Sequence, residues 1–347
     1  MRGASVGGGS DTAVVASSLS ITLAIWPPRH RRGVPPKPPR LPWSSFLTQM
    51  YPLKPAFTEK NVPDLSGKVY IVTGSNTGPA RRTKPSAPSP TSKRPGRSSL
   101  IFLHLDLADF STIKPAVERF TARESKLHVL FNNAAVQGLN NDGSVKTAQG
   151  YEWHFGVNVM GPFLFTKLPT PTLVATAKSE PANTVRVVWV CSLGTEVTGE
   201  KSHGITLDYL NYWPSLSPLE RYGVTKAGNW LHGVEFAKRY EADGVVSVPC
   251  NPGHLRSDLY RDGGCMFKAV LNALVLFPPI YGAYTEIYSG LSPTITMKDT
   301  GKWVVPWGRL YPIRQDLPDA IKPETEGGNG HAKKFWEWSE EQVRGYS

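Results

Sequence analysis

Tyr222 and Lys226 stand four residues apart in RYGVTKAGNW. On a helix that spacing puts the phenol and the ammonium on one face, within reach of the same substrate atom. A tyrosine with an ordinary pKa near ~10 is a poor proton carrier at neutral pH, but a cation one turn away favours its phenolate, so the pair suits general acid–base work. A YxxxK pair alone is common by chance on an exposed helix face. Here it has company in a fixed order. GKVYIVTGSNTG occupies 67–78, LDL 105–107 and FNNAA 131–135. Asn158 follows in GVNVMGPF, Ser192 ends VRVVWVCS, and NPG stands at 251–253.

These residues need a scaffold, and the chain's patterning supplies one. VYIVTG from Val69, LIFLHLDL at 100–107, HVLFNN at 128–133, VRVVWV before Ser192 and GVVSVPCNPG from Gly244 are short β-branched runs of the kind buried parallel strands use. Between them lie helical patterns at 111–123, with Ile113, Val117 and Phe120 at helix spacing, at 147–167, and at 219–240 carrying Tyr222 and Lys226. Alternating strands and helices predict an α/β, Rossmann-like, doubly wound parallel sheet in a single domain.

Motif order and spacing resemble the short-chain dehydrogenase/reductase family, nearest its retinol-dehydrogenase-like and WW-domain-oxidoreductase-like branch. The resemblance runs from about residue 52 to 338, except for 79–99. It implies an NAD(P)-dependent oxidoreductase that interconverts an alcohol and a ketone or aldehyde. Tyr222 is then the acid/base, Lys226 its cationic partner and a contact of the nicotinamide ribose, Ser192 the hydrogen-bond donor to the substrate oxygen, and Asn158 the holder of a water in a proton relay. For the cofactor it implies Thr73, Gly74, Asn76 and Gly78 in the glycine turn, and Asp106 at the adenine. Asn132, Asn133 and Ala134 fall beside the nicotinamide ribose, Pro252 and Gly253 at the nicotinamide amide, and Ser257 near the carboxamide or diphosphate. Residues 193–221 are expected to form a loop over the substrate. The apolar, aromatic C-terminal part points to a bulky apolar carbonyl or alcohol. By analogy, homodimer or homotetramer contacts would run through the Tyr222 helix.

The cofactor half departs from the pattern. Pro79 and Ala80 stand where the glycine turn continues with an apolar residue and a third glycine, and Pro85, Pro88, Pro90 and Pro95 follow. A helix starting at Pro79 runs barely a turn before Pro85 restricts Lys84 and removes a donor. Only 27 residues separate Gly78 from Asp106, where the family uses some ~45, so the first crossover helix and second strand are expected to be missing, through a deletion or a gene-model error. Ala135 replaces a glycine that follows the two asparagines. No Asp or Glu lies between Gly78 and Asp106, whereas Arg81, Arg82 and Lys84 do, which leans the cofactor choice to NADP over NAD.

Charge and composition narrow the rest. The net charge of +11 resides in residues 1–98, which hold 15 Lys or Arg against 3 Asp or Glu; residues 99–347 hold 24 against 25. That distribution, without clustered bases and interleaved aromatics on a folded segment, excludes a nucleic-acid partner. Cys191, Cys250 and Cys265 have no metal or pairing spacing and fit a reducing compartment, so no metal site and a cytoplasmic location are expected. The alternative is membrane association, peripheral or through the apolar stretch 13–26, which is short for a span. Residues 1–45 read as a disordered or misassigned leader, 46–338 as the domain with 79–99 an aberrant proline-rich loop, and 339–347 as a tail. A noncatalytic relative that binds dinucleotide poorly and acts as a binding or scaffold protein is the alternative function.

Overall fold

The computed structural model of the chain describes residues 38–74, 100–138, 143–256 and 276–347. Six strands form one sheet in the order β1 (Tyr70–Val72), β2 (Val129–Asn132), β3 (Arg186–Val190), β4 (Val246–Cys250), β5 (Val304–Val305) and β6 (Arg309–Leu310). β1 to β5 pair in parallel and β6 returns antiparallel. The register sets Val72 beside Phe131 and Asn132 beside Trp189, so the carboxyl ends of β1, β2 and β3 finish level. β2, β3 and β4 are buried along their whole length, as expected for β-branched runs covered on both faces.

Alternate strand residues feed two cores. Val187 and Trp189 face a layer built from α2 (Ile113–Thr121), α3 (Trp153–Phe155), a π-helical turn (Gly156–Met160), α4 (Gly161–Lys167) and α8 (Pro218–Tyr240). Val188 and Val190 face the other side, with Val129, Phe131 and Val248, under α9 (Pro279–Leu291). The remaining helices are α1 (Trp43–Met50), α5 (Thr170–Ser179), α6 (Gly194–Val197), α7 (Tyr209–Tyr212) and α10 (His331–Val343). Cys191 and Cys250 are buried free thiols at the ends of β3 and β4.

α8 forms where its signals predict. Ser217 and Glu220 make a reciprocal capping box, Pro218 occupies the first turn, and Lys238 and Arg239 sit at the negative end of the helix dipole. Its outer face is not free. α10 of the same chain lies along it: His232 pairs with Ser339 Oγ at 3.0 Å, Trp336 packs on Phe236, and the Arg239 guanidinium lies 5.1 Å from the Trp336 ring. The chain's own C-terminal helix thus covers part of the Tyr222 helix. The boundary at 338 moves for the same reason. α10 continues to Val343, with Ser339 and Val343 fully buried, so 339–347 is no loose tail.

Two further expectations change. Residues 100–106 form no strand. Leu103, Leu105 and Leu107 turn toward the core while Phe102, His104 and Asp106 turn out, a strand's alternation without a ladder. Among the described residues β1 has a neighbour only on its β2 side, and a strand without a partner has nowhere to place its amides and carbonyls. Leu100, Ile101 and Phe102 are left 54%, 54% and 74% exposed. Residues 193–221 are not one open loop. They fold into α6, α7 and a 3₁₀ turn, with Tyr209 and Tyr212 buried and hydrogen-bonded to Glu152 and Glu200. At the amino end α1 starts at Trp43, three residues before the boundary read from sequence.

Candidate active site

A cavity of about 820 Å³ opens at the carboxyl ends of β1 to β4. In open α/β sheets that crevice is where ligands bind. Six separate segments meet there: Thr73 and Gly74 after β1, Asn133 to Val136 after β2, Ser192 after β3, Pro252 and Gly253 after β4, Tyr222 and Lys226 from α8, and Glu286 from α9.

α8 reaches this place because it presses hard on α6. A Cβ on Gly223 would stand 2.2 Å from Thr198 Oγ1, and one on Gly194 would stand 2.7 Å from the Gly223 Cα. The glycine between Tyr222 and Lys226 is thus what lets the helix lie against the segment that follows Ser192. Ser192 Oγ accepts the Gly194 amide at 3.2 Å, which leaves its own proton free to be donated. Lys226 is 1% exposed, donates from Nζ to the Val190 carbonyl at 2.7 Å, and holds Nζ 5.7 Å from the centre of the Tyr222 ring. Burial pulls its pKa down to about 8, opposed by the neighbouring Cys191, Cys250 and Glu286. Glu286 shares the cavity and is 9% exposed; burial pushes its carboxyl up to about 7, against the pull of Lys226.

The turn after β1 is built around Thr73. Its Oγ1 accepts the amides of Asn133 and Ala134 at 3.0 and 2.9 Å, while Asn133 Nδ2 donates to the Thr73 carbonyl at 2.9 Å. Gly74 has a φ of +74°, and a Cβ there would lie 2.8 Å from the Ala134 Cα, so only glycine fits. Beyond β4, Gly253 donates to Asn251 Oδ1 at 3.0 Å, which fixes the Pro252–Gly253 turn at the cavity wall. These groups fit the nicotinamide-nucleoside half of a dinucleotide: a tight glycine turn at the cavity wall, a buried ammonium with two N–H groups to spare, and a hydroxyl pair facing the same space. Asn76, Gly78 and the segment 79–99, on which the pyrophosphate half depends, lie outside the described residues, as do Ser257, Cys265 and residues 13–26.

Three residues expected at the site are not among the side chains lining the cavity. Asn158 is fully buried one layer behind it, where Oδ1 accepts the Val136 amide at 2.8 Å and Nδ2 donates to the Val136 carbonyl at 2.9 Å. It positions Val136, which does line the cavity. Asn132 turns its amide to Thr166 Oγ1 at 2.7 Å. Asp106 is exposed and accepts the Ala108 amide at 2.8 Å, closing a turn instead of facing a ligand, since its segment never joins the sheet.

The sequence reading missed Glu286, Gln49 and α1. Glu286 had a visible signal: a lone carboxylate among Gly282, Thr285, Ser289 and Gly290 on one face of an otherwise apolar helix. Gln49 had none, because its partners Glu196 and Asn251 lie 147 and 202 residues away. No group of three or more His, Cys, Asp or Glu fit to hold a metal occurs among the described residues, and none of their helices is long and apolar enough to cross a membrane.

The sequence is similar to those of known proteins. A family profile described as short chain dehydrogenase matches residues 70–202. The chain is 53% identical to a short-chain dehydrogenase/reductase of Neocamarosporium betae, over 88% of this chain and 94% of that protein. It is 55% identical to another from Phaeosphaeria nodorum, over 75% of this chain and 90% of the relative, and 44% identical to one from Phomopsis amygdali, over 86% and 96%. The match to the N. betae protein extends over 328 positions but takes in 88% of 347 residues, about 305. About 23 of those positions, the difference between 328 and 305, therefore have no residue in this chain.

Proposed function

Because the chain belongs to the short-chain dehydrogenase/reductase family, we propose that it interconverts an alcohol and a ketone or aldehyde on a bulky apolar substrate, with NADP preferred over NAD. The observation that carries this reading is the convergence of Ser192, Tyr222 and Lys226 on one cavity with the Thr73–Gly74 cradle and the Pro252–Gly253 turn. A bound nicotinamide dinucleotide supplies or receives the hydride. Thr73, Gly74, Asn133 and Ala134 would hold it beside the ribose, with Lys226, and Pro252 and Gly253 beside the nicotinamide. Ser192 donates its proton as a hydrogen bond to the substrate oxygen. Tyr222 transfers a proton to that oxygen as negative charge develops on it, and takes one back in the reverse direction. Lys226 lends its positive charge to the phenolate left behind. Its buried setting strengthens that help, since a charge interaction grows as water is excluded. The NADP preference is supported by Arg81, Arg82 and Lys84 and by the absence of an acid between Gly78 and Asp106.

A second reading is favoured by a separate observation. The proline-dense stretch 79–99 and residues 100–106, which join no strand ladder, together point to a truncated cofactor half. On that reading the chain binds dinucleotide poorly and serves as a binding or scaffold protein. NADPH consumption with a panel of aryl ketones separates the two. Turnover that Tyr222→Phe lowers by ~10²–10⁴-fold supports the enzyme. A Tyr222→Phe variant with parental turnover sinks the mechanism, and no turnover by the parent chain favours the second reading.

A further inference from the structure

Outside the catalytic cavity lies a second one of about 850 Å³. Its walls are chiefly apolar, with Leu41, Pro42 and Trp43 on one side and Leu216 and Val224 on the other. Both cavities are lined by Phe46, Val197 and Thr198, so those three side chains form the partition between them. Val197 and Thr198 are anchored by α6. Phe46 is held differently.

Phe46 belongs to α1, a two-turn helix in which Gln49 is the one buried residue. An isolated helix of that length does not hold itself together. Gln49 docks it: 1% exposed, it donates from Nε2 to Glu196 Oε2 at 2.6 Å and accepts from Asn251 Nδ2 at 2.9 Å. Arg309 adds a contact to the Thr48 carbonyl at 3.3 Å. Asn251 also fixes the Pro252–Gly253 turn, and Glu196 sits in the helix that follows Ser192. One buried amide thereby ties the amino-terminal helix to both sides of the catalytic cavity. The carboxylates at the outer cavity are already engaged. Glu200 Oε1 accepts from Tyr212 and Thr206, Glu220 accepts from Ser217 in the capping box, and Arg40, the cation of the lining, is solvent-exposed, so the apolar wall between them suits an apolar group.

We propose that the two cavities are chambers of one substrate channel, with Phe46 as the partition and Gln49 as the residue that positions it. The carbonyl or carbinol carbon reacts in the inner chamber at Ser192 and Tyr222, and an extended apolar tail passes Phe46 into the outer chamber. The substrate class is then a carbonyl compound or alcohol with a long apolar tail, in place of a compact one. This rests on the oxidoreductase reading of the inner chamber, but its test does not need turnover.

Calorimetric binding of decan-2-one and butan-2-one to the full chain, without cofactor, reads the channel directly. The six additional methylenes should tighten binding at least ~30-fold. Leu216→Trp, which intrudes on the outer chamber, and Phe46→Trp, which narrows the partition, should each reduce the ratio of the two affinities at least ~10-fold. Gln49→Leu should erode the same ratio by releasing α1. Thermal unfolding identifies a variant that fails to fold, and Leu216 and Phe46 lie on different elements, so one remains informative if the other is lost. Failure of the parent chain to bind decan-2-one, or an unchanged ratio in a folded Leu216→Trp or Phe46→Trp protein, overturns the proposal. Channel binding without turnover of either ketone in the presence of NADPH would leave the channel standing and count against the catalytic reading alone.

Discussion

Replacing Lys226 by methionine should stabilise the fold at neutral pH while abolishing turnover. Methionine matches the lysine stem in length and carries no charge, so the change isolates the ammonium. Burial lowers the Lys226 pKa from 10.5 to about 8. At ~1.4 kcal/mol per unit, that is a penalty of about 3 kcal/mol for keeping the group charged at pH 7. Against it, the Val190 carbonyl loses the donor now 2.7 Å away, which costs about 1–2 kcal/mol. The net gain is about 1–2 kcal/mol, a rise of a few degrees in Tm. The pH dependence gives the stronger test. Since the folded pKa lies below the unfolded one, the unfolded chain binds more protons between about 8 and 10.5, and the parent protein gains stability as pH rises through that window. The methionine variant has no such gain. Its advantage should be full at pH 7, shrink above pH 8 and be gone by pH 10. Glu286, deprived of its cation, shifts further toward its protonated form, and the Lys226→Met/Glu286→Gln double variant removes its contribution to the comparison. Thermal unfolding at pH 7, 8, 9 and 10 measures all three proteins. A methionine variant less stable than the parent at pH 7, or a difference that does not change with pH, would refute the view that this lysine is a buried charge held for function at the expense of stability.

The same electrostatics set the pH profile. If a charged Lys226 supports the phenolate, kcat/KM should fall as pH rises through about 8, and Glu286→Gln should move that limb to lower pH by removing a carboxylate that favours the ammonium; a limb that stays in place would dissociate it from Lys226. Gly223→Ala should destabilise by about 1–3 kcal/mol and lower activity, because its Cβ would stand 2.2 Å from Thr198 Oγ1. Thr198→Ala in the same chain should restore part of both, measured by urea unfolding and initial rates. Replacing residues 79–99 with a family-like helix–strand–helix segment of ~45 residues should tighten NADPH binding at least ~10-fold, about 1.4 kcal/mol, as read by calorimetry.

How far the sequence could be read depended on where each contact sits along the chain. β2, β3 and β4 were legible because strands covered on both faces read as uninterrupted apolar runs, and α8 because Ser217, Pro218 and Glu220 announce its start. The positions of Ser192, Tyr222 and Lys226 followed from strand ends and one helix face. Residues 100–107 misled because LIFLHLDL carries strand composition and alternation, whereas a strand also needs a neighbour to bond with, and composition does not report one. Asn158 was placed in the site by motif, yet its amide is spent on Val136, which only coordinates reveal. Gln49 and α10 lay beyond reach for a common reason: each acts by docking on elements about a hundred or more residues away, and nothing in its own neighbourhood encodes the partner.

The central claim is that this chain holds a nicotinamide dinucleotide against Tyr222 and Lys226, and titration of purified protein with NADPH and with NADH tests it most directly. Calorimetry should detect NADPH binding weaker than low micromolar, tighter than NADH, lost in Lys226→Ala and retained in Tyr222→Phe. Absence of binding to either nucleotide, or binding that Lys226→Ala leaves intact, would contradict the account.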